Sequence, residues 1–291
     1  MIDQHIIGSE TLSATIKADG AELISLSNKD GEALWHGGPE WPRHAPVLFP
    51  IVGKLTDDTL IHEGKAYRLT QHGFARDSLF GWVERTKTRA VLQLRESAAT
   101  LATYPFRFVL QMIYEVEGTT LSVTSRITNP GDTVLPCGIG AHPAFRWPLA
   151  EGVAQEAHLL AFEKPEPGPG LGVAGGLLGP EIPLPFDGTE LALAPALFTN
   201  DAIVIPAVES RSARFVARDA AGATKRSLTV DWDGYKDLGI WSKPSGAPFL
   251  CIEPWFSMAS PIGWQGEIVD KPGILLLPPG QARDFVWRVT L

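Results

Sequence analysis

The sequence predicts an all-β protein, a large antiparallel β-sandwich, and three observations support this class. Side chains alternate between apolar and polar with a period of two over many short segments, as in half-buried strands. Helical periodicity is almost absent. The chain of 291 residues contains 29 glycines and 24 prolines, which separate the segments at intervals of roughly ten residues. Short strands joined by turns are typical of a sandwich.

The predicted strands share this alternation and end at turn residues. They cover residues 12–18, 21–28, 89–97, 106–118, 119–131, 213–219, 227–232, 238–243, 248–255, 273–279 and 282–291. The first two are separated by Asp19–Gly20. The pair at 106–118 and 119–131 is the clearest, and its break at Glu117–Gly118 predicts a hairpin. A short helix is expected near 97–105.

A segment rich in proline and glycine, residues 163–187, interrupts the strand pattern. It could be a linker between domains. The same strand pattern and composition resume after it, and motifs of chemical interest lie on both sides. We therefore expect a long surface excursion within one domain that spans residues 1–291.

The charge balance and the absence of long apolar runs exclude several classes of partner. The formal net charge is −8 at pH 7, which argues against nucleic acid and against an anionic membrane surface. No apolar run reaches the ~18 residues of a membrane span. The N-terminal MIDQHIIGSE lacks the features of a signal peptide, so a cytoplasmic protein is expected. The oligomeric state is left open.

The two cysteines, Cys137 and Cys251, have no CxxC spacing and no histidine cluster beside them. This spacing predicts no metal site. We expect two free, buried thiols that fill core positions on strands. No other cofactor is indicated by the sequence.

Two of the seven histidines have unusual surroundings. His72 lies in QHGFAR, where Gly73 suits a turn or a close approach and Arg76 offers a planar fork of donors. His142 lies in GIGAHPAF, where glycines thin a strand as they do near a ligand or another backbone. The alternatives are a loop histidine at position 72 and a satisfied core histidine at position 142. The other five histidines are expected in loops or at the surface.

Glu253, in FLCIEPWF, is a carboxylate in an apolar run. Such a group is either paired or carries a raised pKa, which suits a general base near neutral pH. Asp201, in FTNDAIVI, would by itself be read as a turn residue. Nine tryptophans, Trp241 among them, could pack against the apolar faces of a sugar, although core packing explains most single tryptophans.

Taken together, His72, His142 and Glu253 form an acid/base set without a metal or a nucleophile. The sequence contains no GxSxG motif, no phosphate-binding P-loop and no dinucleotide-binding GxGxxG. Proton transfer therefore fits the residues better than covalent or nucleotide chemistry.

Five runs, in order, resemble the aldose 1-epimerase (galactose mutarotase-like) family over nearly the whole chain: PVLFPIVGKL, QHGFAR, GIGAHPAF, FTNDAIVI and APFLCIEPW. The closer likeness is to its bacterial LacX-type branch, which is also similar to the hexose-6-phosphate mutarotase branch. The resemblance implies a large antiparallel β-sandwich and an isomerase that interconverts the α and β anomers of an aldose. It implies a small-molecule sugar as partner and no cofactor.

The resemblance also implies roles for single residues. Glu253 corresponds to the general base, His142 to the general acid, and His72 to the histidine that binds near the ring oxygen. Asp201 corresponds to the substrate-binding aspartate, and Arg76 to the arginine of the LacX-like branch. At position 54 the branch often has arginine, and Lys54 keeps the charge but loses the fork of donors.

The implied chemistry leads to two expectations about geometry and charge. The base and the acid are expected on opposite sides of the anomeric centre. His142 is expected to be charged at the working pH, because a neutral imidazole does not easily give up its proton. The rate should then fall at alkaline pH.

Three alternatives remain. The first is a non-catalytic sugar-binding or sensing protein. The second is a hexose-6-phosphate mutarotase, for which a phosphate could meet Lys54, Arg76, Lys243 and Arg43. The third is a glycoside hydrolase that uses a carboxylate pair, Glu253 and Asp201.

Overall fold

A computed structural model describes residues 3–291. These residues form mainly short strands: β1 (Gln4–Gly8), β2 (Ser13–Lys17), β3 (Leu23–Asn28), β4 (Gly31–Glu32), β5 (Val47–Leu48), β6 (Thr59–His62), β7 (Lys65–Arg68), β8 (Gly81–Arg85), β9 (Arg89–Arg95), β10 (Val109–Glu117), β11 (Thr120–Thr128), β12 (Leu135–Cys137), β13 (Ile139–Ala141), β14 (Ala144–Arg146), β15 (His158–Phe162), β16 (Gly170–Ala174), β17 (Leu177–Ile182), β18 (Glu190–Ala192), β19 (Ile203–Ile205), β20 (Ser212–Arg218), β21 (Thr224–Asp233), β22 (Asp237–Trp241), β23 (Phe249–Phe256), β24 (Leu275–Leu277) and β25 (Ala282–Thr290).

Helical structure is limited to a few short turns. Helix α1 (Ala98–Leu101) lies in the region expected to be helical and is capped by the Ser97 side chain, which accepts from the Thr100 backbone. Five single 3-10 turns complete the set: Thr56–Asp58, Ala75–Asp77, Gln155–Ala157, Pro195–Phe198 and Ile268–Asp270. No helix among residues 3–291 has the length and apolar character needed to cross a membrane.

Two large sheets dominate the fold. One has nine strands in the order β18-β15-β20-β21-β25-β11-β10-β9-β8. The other contains β17-β16-β19-β22-β23-β13-β5, with β14 also paired to β23. The strand ladders are antiparallel, as between β10 and β11 or β22 and β23. The prediction of an all-β, antiparallel sandwich is confirmed.

The long hairpin predicted at Glu117–Gly118 is present. Glu117 of β10 faces Thr120 of β11 across the turn, and the register continues without a break to Val109 opposite Thr128. Burial alternates along β11, so one face of this sheet lies in the core. There Leu121 and Val123 belong to the same apolar cluster as residues of β23 in the second sheet. The core therefore lies between the two large sheets.

Strand β23 is buried over almost its whole length, and its two faces have different partners. Successive side chains of a strand point to opposite faces. Leu250 and Ile252 join the main core between the sheets. The intervening residues Cys251, Glu253 and Trp255 lie on the other face of the sheet, where the candidate site is found.

Two glycines on this outer face make room for a protein side chain. A Cβ atom on Gly239, which is opposite Glu253 in the ladder, would overlap the indole ring of Trp255. A Cβ on Gly140 would lie 2.8 Å from Cδ1 of the same indole. The expected close approach of another backbone is found at Gly138, where a Cβ would lie 3.3 Å from the Phe256 carbonyl oxygen and from the Val52 nitrogen. At Gly140 the space is filled by Trp255 rather than by a ligand, and this indole forms part of the cavity wall.

The proline- and glycine-rich segment is more ordered than the sequence suggests. Part of it forms the hairpin β16–β17, and β16 pairs with β19 in the second large sheet. The expectation of a mere surface excursion is wrong for this part. Both cysteines are free and buried, as predicted.

Candidate active site

A cavity of about 290 Å³ opens on the outer face of the second large sheet. Its lining includes six of the seven residues singled out in the sequence: His72, Arg76, His142, Asp201, Trp241 and Glu253. The seventh, Lys54, is not among the lining residues. Its Nζ lies 3.9 Å from Oδ1 of Asp58, and its stem lies beside Gly176 at the cavity edge. Folding thus brings together residues that are up to 181 positions apart in the chain.

Glu253 and His142 form a close pair in this cavity. Glu253 lies in the middle of β23, and His142 directly follows β13, which pairs with β23. Nε2 of His142 lies 3.3 Å from Oε2 of Glu253, and the two residues are 8% and 1% exposed. Oε2 has no aligned hydrogen-bond donor in the described structure, so it is available to accept one from a ligand.

Burial sets the protonation of this pair in the free cavity. Loss of water raises the pKa of Glu253 well above its usual range. The nearby Trp255 indole offsets part of this rise, and the charge of Asp201 adds a smaller upward effect. Burial also lowers the pKa of His142 to about 3. Both effects arise because a dry site disfavours the charged form.

These opposite shifts favour a proton on Glu253 over a proton on His142 in the free cavity. Two groups this close titrate as a unit. The expectation that His142 is charged is wrong for the free cavity, because burial of the imidazole makes the cation too costly. The two groups are neighbours, and their placement on opposite sides of the anomeric centre stays a prediction.

His72 is fixed as a neutral hydrogen-bond donor. The backbone N–H of Gly53 donates to Nδ1 of His72 over 3.1 Å, so Nδ1 carries no proton. The remaining nitrogen, Nε2, must then bear the hydrogen. Burial lowers the pKa of His72 well below its usual value, and electrostatic repulsion by His142 and Arg76 lowers it further. The ring can therefore donate through Nε2 over a wide pH range.

Two lining residues have backbone conformations that most residues avoid. His72 has φ +65° and Asp201 has φ +78°. Gly73 also lies in the left-handed region, and a Cβ there would collide with the carbonyl group of Phe49, which explains the glycine after His72. Non-glycine residues with positive φ cluster at functional sites, where the surrounding structure holds them.

Only one of the four basic residues considered for phosphate binding lines the cavity. Arg76 lines it and donates from Nη2 to the Gln71 carbonyl over 2.8 Å. Arg43 binds Asp77, behind Arg76, with an Nη2–Oδ1 distance of 2.8 Å. Lys243 donates to a backbone carbonyl of the neighbouring loop. The four cations therefore do not converge on one point in the cavity.

Aromatic rings enclose the acid/base pair. The indole of Trp41 stacks on the imidazole of His142 with a centroid distance of 4.9 Å and an angle of 27°. Trp241 meets the same imidazole edge-on at 5.8 Å. The carbonyl of Trp41 accepts from the Trp35 indole N–H over 2.8 Å, which holds the loop in place. The rings fix the plane of His142 and exclude water from it.

Sequence reasoning did not identify part of the cavity wall. Val173, Gly176 and Leu178 of the hairpin β16–β17 line the cavity, although their segment has the composition of a loop. Gln71, beside His72 in a motif already noted, is also a lining residue.

One histidine outside the cavity also corrects the sequence prediction. His158 is 2% exposed and accepts from the Leu149 backbone N–H through Nε2 over 3.0 Å. Its Nδ1 lies 2.9 Å from the Ala154 carbonyl. It is a satisfied core histidine rather than a loop or surface residue.

Comparisons with known proteins identify the family of this chain. The profile of the aldose 1-epimerase family matches residues 3–171, more than half of the chain. Protein LacX, plasmid, of Lactococcus lactis subsp. lactis is 31% identical over 295 residues, with 97% of each chain covered.

Two solved structures are similar over almost their whole length. A galactose mutarotase related enzyme from Lactobacillus acidophilus has 28% identity and a TM-score of 0.88, covering 99% of this chain and 96% of that one. A galactose mutarotase-like protein from Lactobacillus casei ATCC 334 has 28% identity and a TM-score of 0.89, with 99% of each covered. With the family profile and the LacX relative, these likenesses show that the chain belongs to the aldose 1-epimerase family.

Proposed function

We propose that this protein is an aldose 1-epimerase, which interconverts the α and β anomers of an aldose by opening and reclosing the sugar ring. The observation that carries the proposal is the buried contact of 3.3 Å between Glu253 and His142 in a cavity lined by aromatic side chains. The family to which the chain belongs supports the reaction class.

The contact between the two groups fits the two oxygens that must exchange protons. The O1 hydroxyl and the ring oxygen O5 are bonded to the same carbon, so they are neighbours in the sugar. A carboxylate and an imidazole that are themselves neighbours can each face one of these oxygens. Positioned acid and base groups each contribute roughly 10²- to 10⁴-fold to such a step.

In the proposed step, Glu253 as carboxylate takes the proton from O1 while His142 as imidazolium gives a proton to O5. The C1–O5 bond breaks, its electron pair goes to O5, and C1–O1 becomes a carbonyl. Rotation about C1–C2 and the reverse transfers close the ring on the other face. The reactive charge state has the shared proton on His142. The free cavity reaches this state when one proton moves from Glu253 to His142. We propose that sugar binding drives this proton transfer.

Other lining groups suit the binding of sugar hydroxyls. His72 donates through Nε2. One oxygen of Asp201 accepts from the Ala202 backbone N–H over 2.9 Å, and its other oxygen is available to a ligand. Trp241 offers an apolar surface for the C–H face of a sugar ring. A cavity of about 290 Å³ is at the small end of ligand sites, which run from roughly 300 to 1,000 Å³, and suits a monosaccharide.

A phosphorylated hexose is the second candidate substrate. Arg76 is the observation in its favour, because this residue lines the cavity and carries a positive charge, although its Nε lies 3.7 Å from Oδ2 of Asp77. Lys54 lies close to the same edge and could approach a phosphate. The acidic Asp201 and the absence of Arg43 and Lys243 from the lining favour the uncharged sugar.

Polarimetry on freshly dissolved sugars tests the proposal and the choice of substrate. α-Glucose, α-galactose and α-glucose 6-phosphate would each be followed with the wild type, Glu253→Gln and Glu209→Gln. Glu209 is an exposed carboxylate and serves as the matched control. We expect acceleration by the wild type and the control and a loss of roughly 10²- to 10⁴-fold in Glu253→Gln.

The same experiment separates the alternatives. If glucose 6-phosphate is the preferred substrate and Arg76→Ala abolishes only that preference, the phosphorylated hexose is the substrate. Binding of a sugar without acceleration by the wild type would favour a sensing protein and contradict the proposal.

A further inference from the structure

The thiol of Cys251 lies beside the acid/base pair. Cys251 and Glu253 are two positions apart on β23 and so share a face of the strand. The Sγ atom of Cys251, a ring nitrogen of His142 and a carboxylate oxygen of Glu253 all lie within 4.8 Å of one another. All three residues are buried. None of the contacts used in the proposed proton transfers involves this thiol.

The three donor atoms form a set that suits a thiophilic metal ion. Zinc takes imidazole nitrogen, thiolate sulfur and carboxylate oxygen at about 2.0–2.3 Å, usually in tetrahedral geometry. Two of the three donor residues, His142 and Glu253, line the cavity, so a bound ion would lie at its wall. The sequence alone does not reveal these three donors as a set, because His142 lies 109 residues before Cys251.

A second observation shows that the set is not already satisfied. Glu253 is 1% exposed and its Oε2 has no hydrogen-bond partner among residues 3–291. In the same part of the chain, the His142 imidazole lies within ion-pair distance of this carboxyl group, and no lysine or arginine does. A metal ion that replaces the proton of the carboxyl would satisfy it, because buried charges in proteins are paired or coordinate metals.

From this geometry we infer that His142, Cys251 and Glu253 bind a thiophilic divalent cation such as Zn²⁺, and that the bound ion excludes the sugar. On binding, the thiol proton and the proton shared by the pair leave to solvent as the Zn–S, Zn–N and Zn–O bonds form. No electron is transferred. The ion occupies the atoms that would face O1 and O5, so the enzyme would be inhibited reversibly by zinc.

Zinc binding and inhibition by zinc depend on different properties of the protein. The binding of zinc depends only on the three donors. The inhibition rests on the proposed function, because only an enzyme that uses Glu253 and His142 would lose activity when they coordinate an ion.

The chain offers a matched pair of variants for the test. It has two cysteines, both buried and free, and Cys137 lies on β12, away from the three donors. Isothermal titration of ZnCl₂ into the wild type, Cys251→Ser and Cys137→Ser compares the two thiols. We expect one site in the wild type and Cys137→Ser. The affinity should fall by at least about 100-fold in Cys251→Ser, because a ligand is lost there and changes to outer-shell partners of metal ligands already cost roughly 10- to 100-fold. Circular dichroism checks folding, and Cys251→Ala replaces the serine variant if that one unfolds.

Sugar-anomer exchange measured with and without zinc completes the test. Two results would support the inference: EDTA restores the activity of the zinc-inhibited wild type, and zinc does not inhibit Cys251→Ser. Equal zinc affinity in all three proteins would overturn it, because the ion would then sit on other residues. Full activity in the wild type saturated with zinc would overturn the inhibitory role. Zinc binding that depends on Cys251 in a protein without exchange activity would support the site and contradict only the proposed function.

Discussion

Oε2 of Glu253 lies 3.3 Å from Nε2 of His142, in a cavity where neither group has a bulk-water shell. A carboxyl and an imidazole at this distance titrate as a coupled pair, in which either group can hold the one shared proton.

The effects on kcat of replacing Glu253 and His142 should be strongly non-additive. Glu253→Gln and His142→Gln should each lower kcat by roughly 10²- to 10⁴-fold. The double variant should be little worse than the weaker single variant, because removing either group disables the transfer between O1 and O5. Rates of anomer exchange for the four proteins check this. Losses that multiply would mean that the two side chains act independently.

The pH dependence should be bell-shaped with a wide plateau. Below about pH 3, the value to which burial lowers the pKa of His142, the pair gains a second proton and Glu253 is no longer a base. At alkaline pH the shared proton is lost as the raised pKa of Glu253 is passed, and no acid remains. Exchange rates from pH 3 to 10 check this, with spontaneous rates subtracted. An acidic limb near the ordinary histidine value would contradict the shared-proton account.

Glu22 should stabilise the fold near the cavity in a pH-dependent way. Its carboxylate is 3% exposed and accepts from the His44 backbone N–H over 2.6 Å, with the Lys17 ammonium at 2.7 Å. Burial alone would raise its pKa, but the contacts with His44 and Lys17 outweigh burial and lower the pKa to about 2. The folded state thus binds fewer protons than the unfolded chain between pH 4.5 and 2.

The stabilisation by Glu22 should be complete above pH 4.5 and vanish as the pH falls through 2. Glu22→Gln should lower the free energy of unfolding at pH 7 by about 2–4 kcal/mol, and this difference should shrink in acid. Urea unfolding at pH 7, 4 and 2.5 checks the trend, with the exposed Glu10→Gln as control. A difference that does not change with pH would rule out the charge as its cause.

Gly239→Ala should disturb the cavity wall at Trp255. The added methyl group would overlap the Trp255 indole, which is packed into the wall beside Glu253. Overpacking of this kind costs about 1–3 kcal/mol, and displacement of the indole should also lower kcat. Gly81→Ala is the control, because its nearest new contact is 3.9 Å away. Equal stability of the two variants would show that the indole has room to move.

The fold class could be predicted from the sequence because apolar and polar residues alternate strongly where one face of a strand is buried and the other is exposed to solvent. Strands β10 and β11 are of this kind and were found with their turn. The short strands β5 and β14 were missed, because two or three residues carry no readable period. Strand β23 is buried on both faces and was found by its apolar run, but the different roles of its faces required the structure.

The candidate site was predictable where a residue type conflicts with its surroundings. Glu253 in an apolar run and His142 between glycine and proline stood out for this reason. The wall formed by hairpin β16–β17 did not, since glycine and proline indicate a loop whether or not the loop joins a sheet. Cys251 resembles a core-packing residue in the sequence, and the pairing of β13 and β14 with β23, with Ala144 opposite Cys251, brings it to His142.

The most direct test of the central claim is saturation transfer between the H1 signals of α- and β-glucose at equilibrium, with catalytic amounts of protein. We predict rapid transfer with the wild type and with Glu209→Gln, and transfer at the spontaneous rate with Glu253→Gln. Exchange by Glu253→Gln at the wild-type rate would contradict the claim that the Glu253–His142 pair opens the ring.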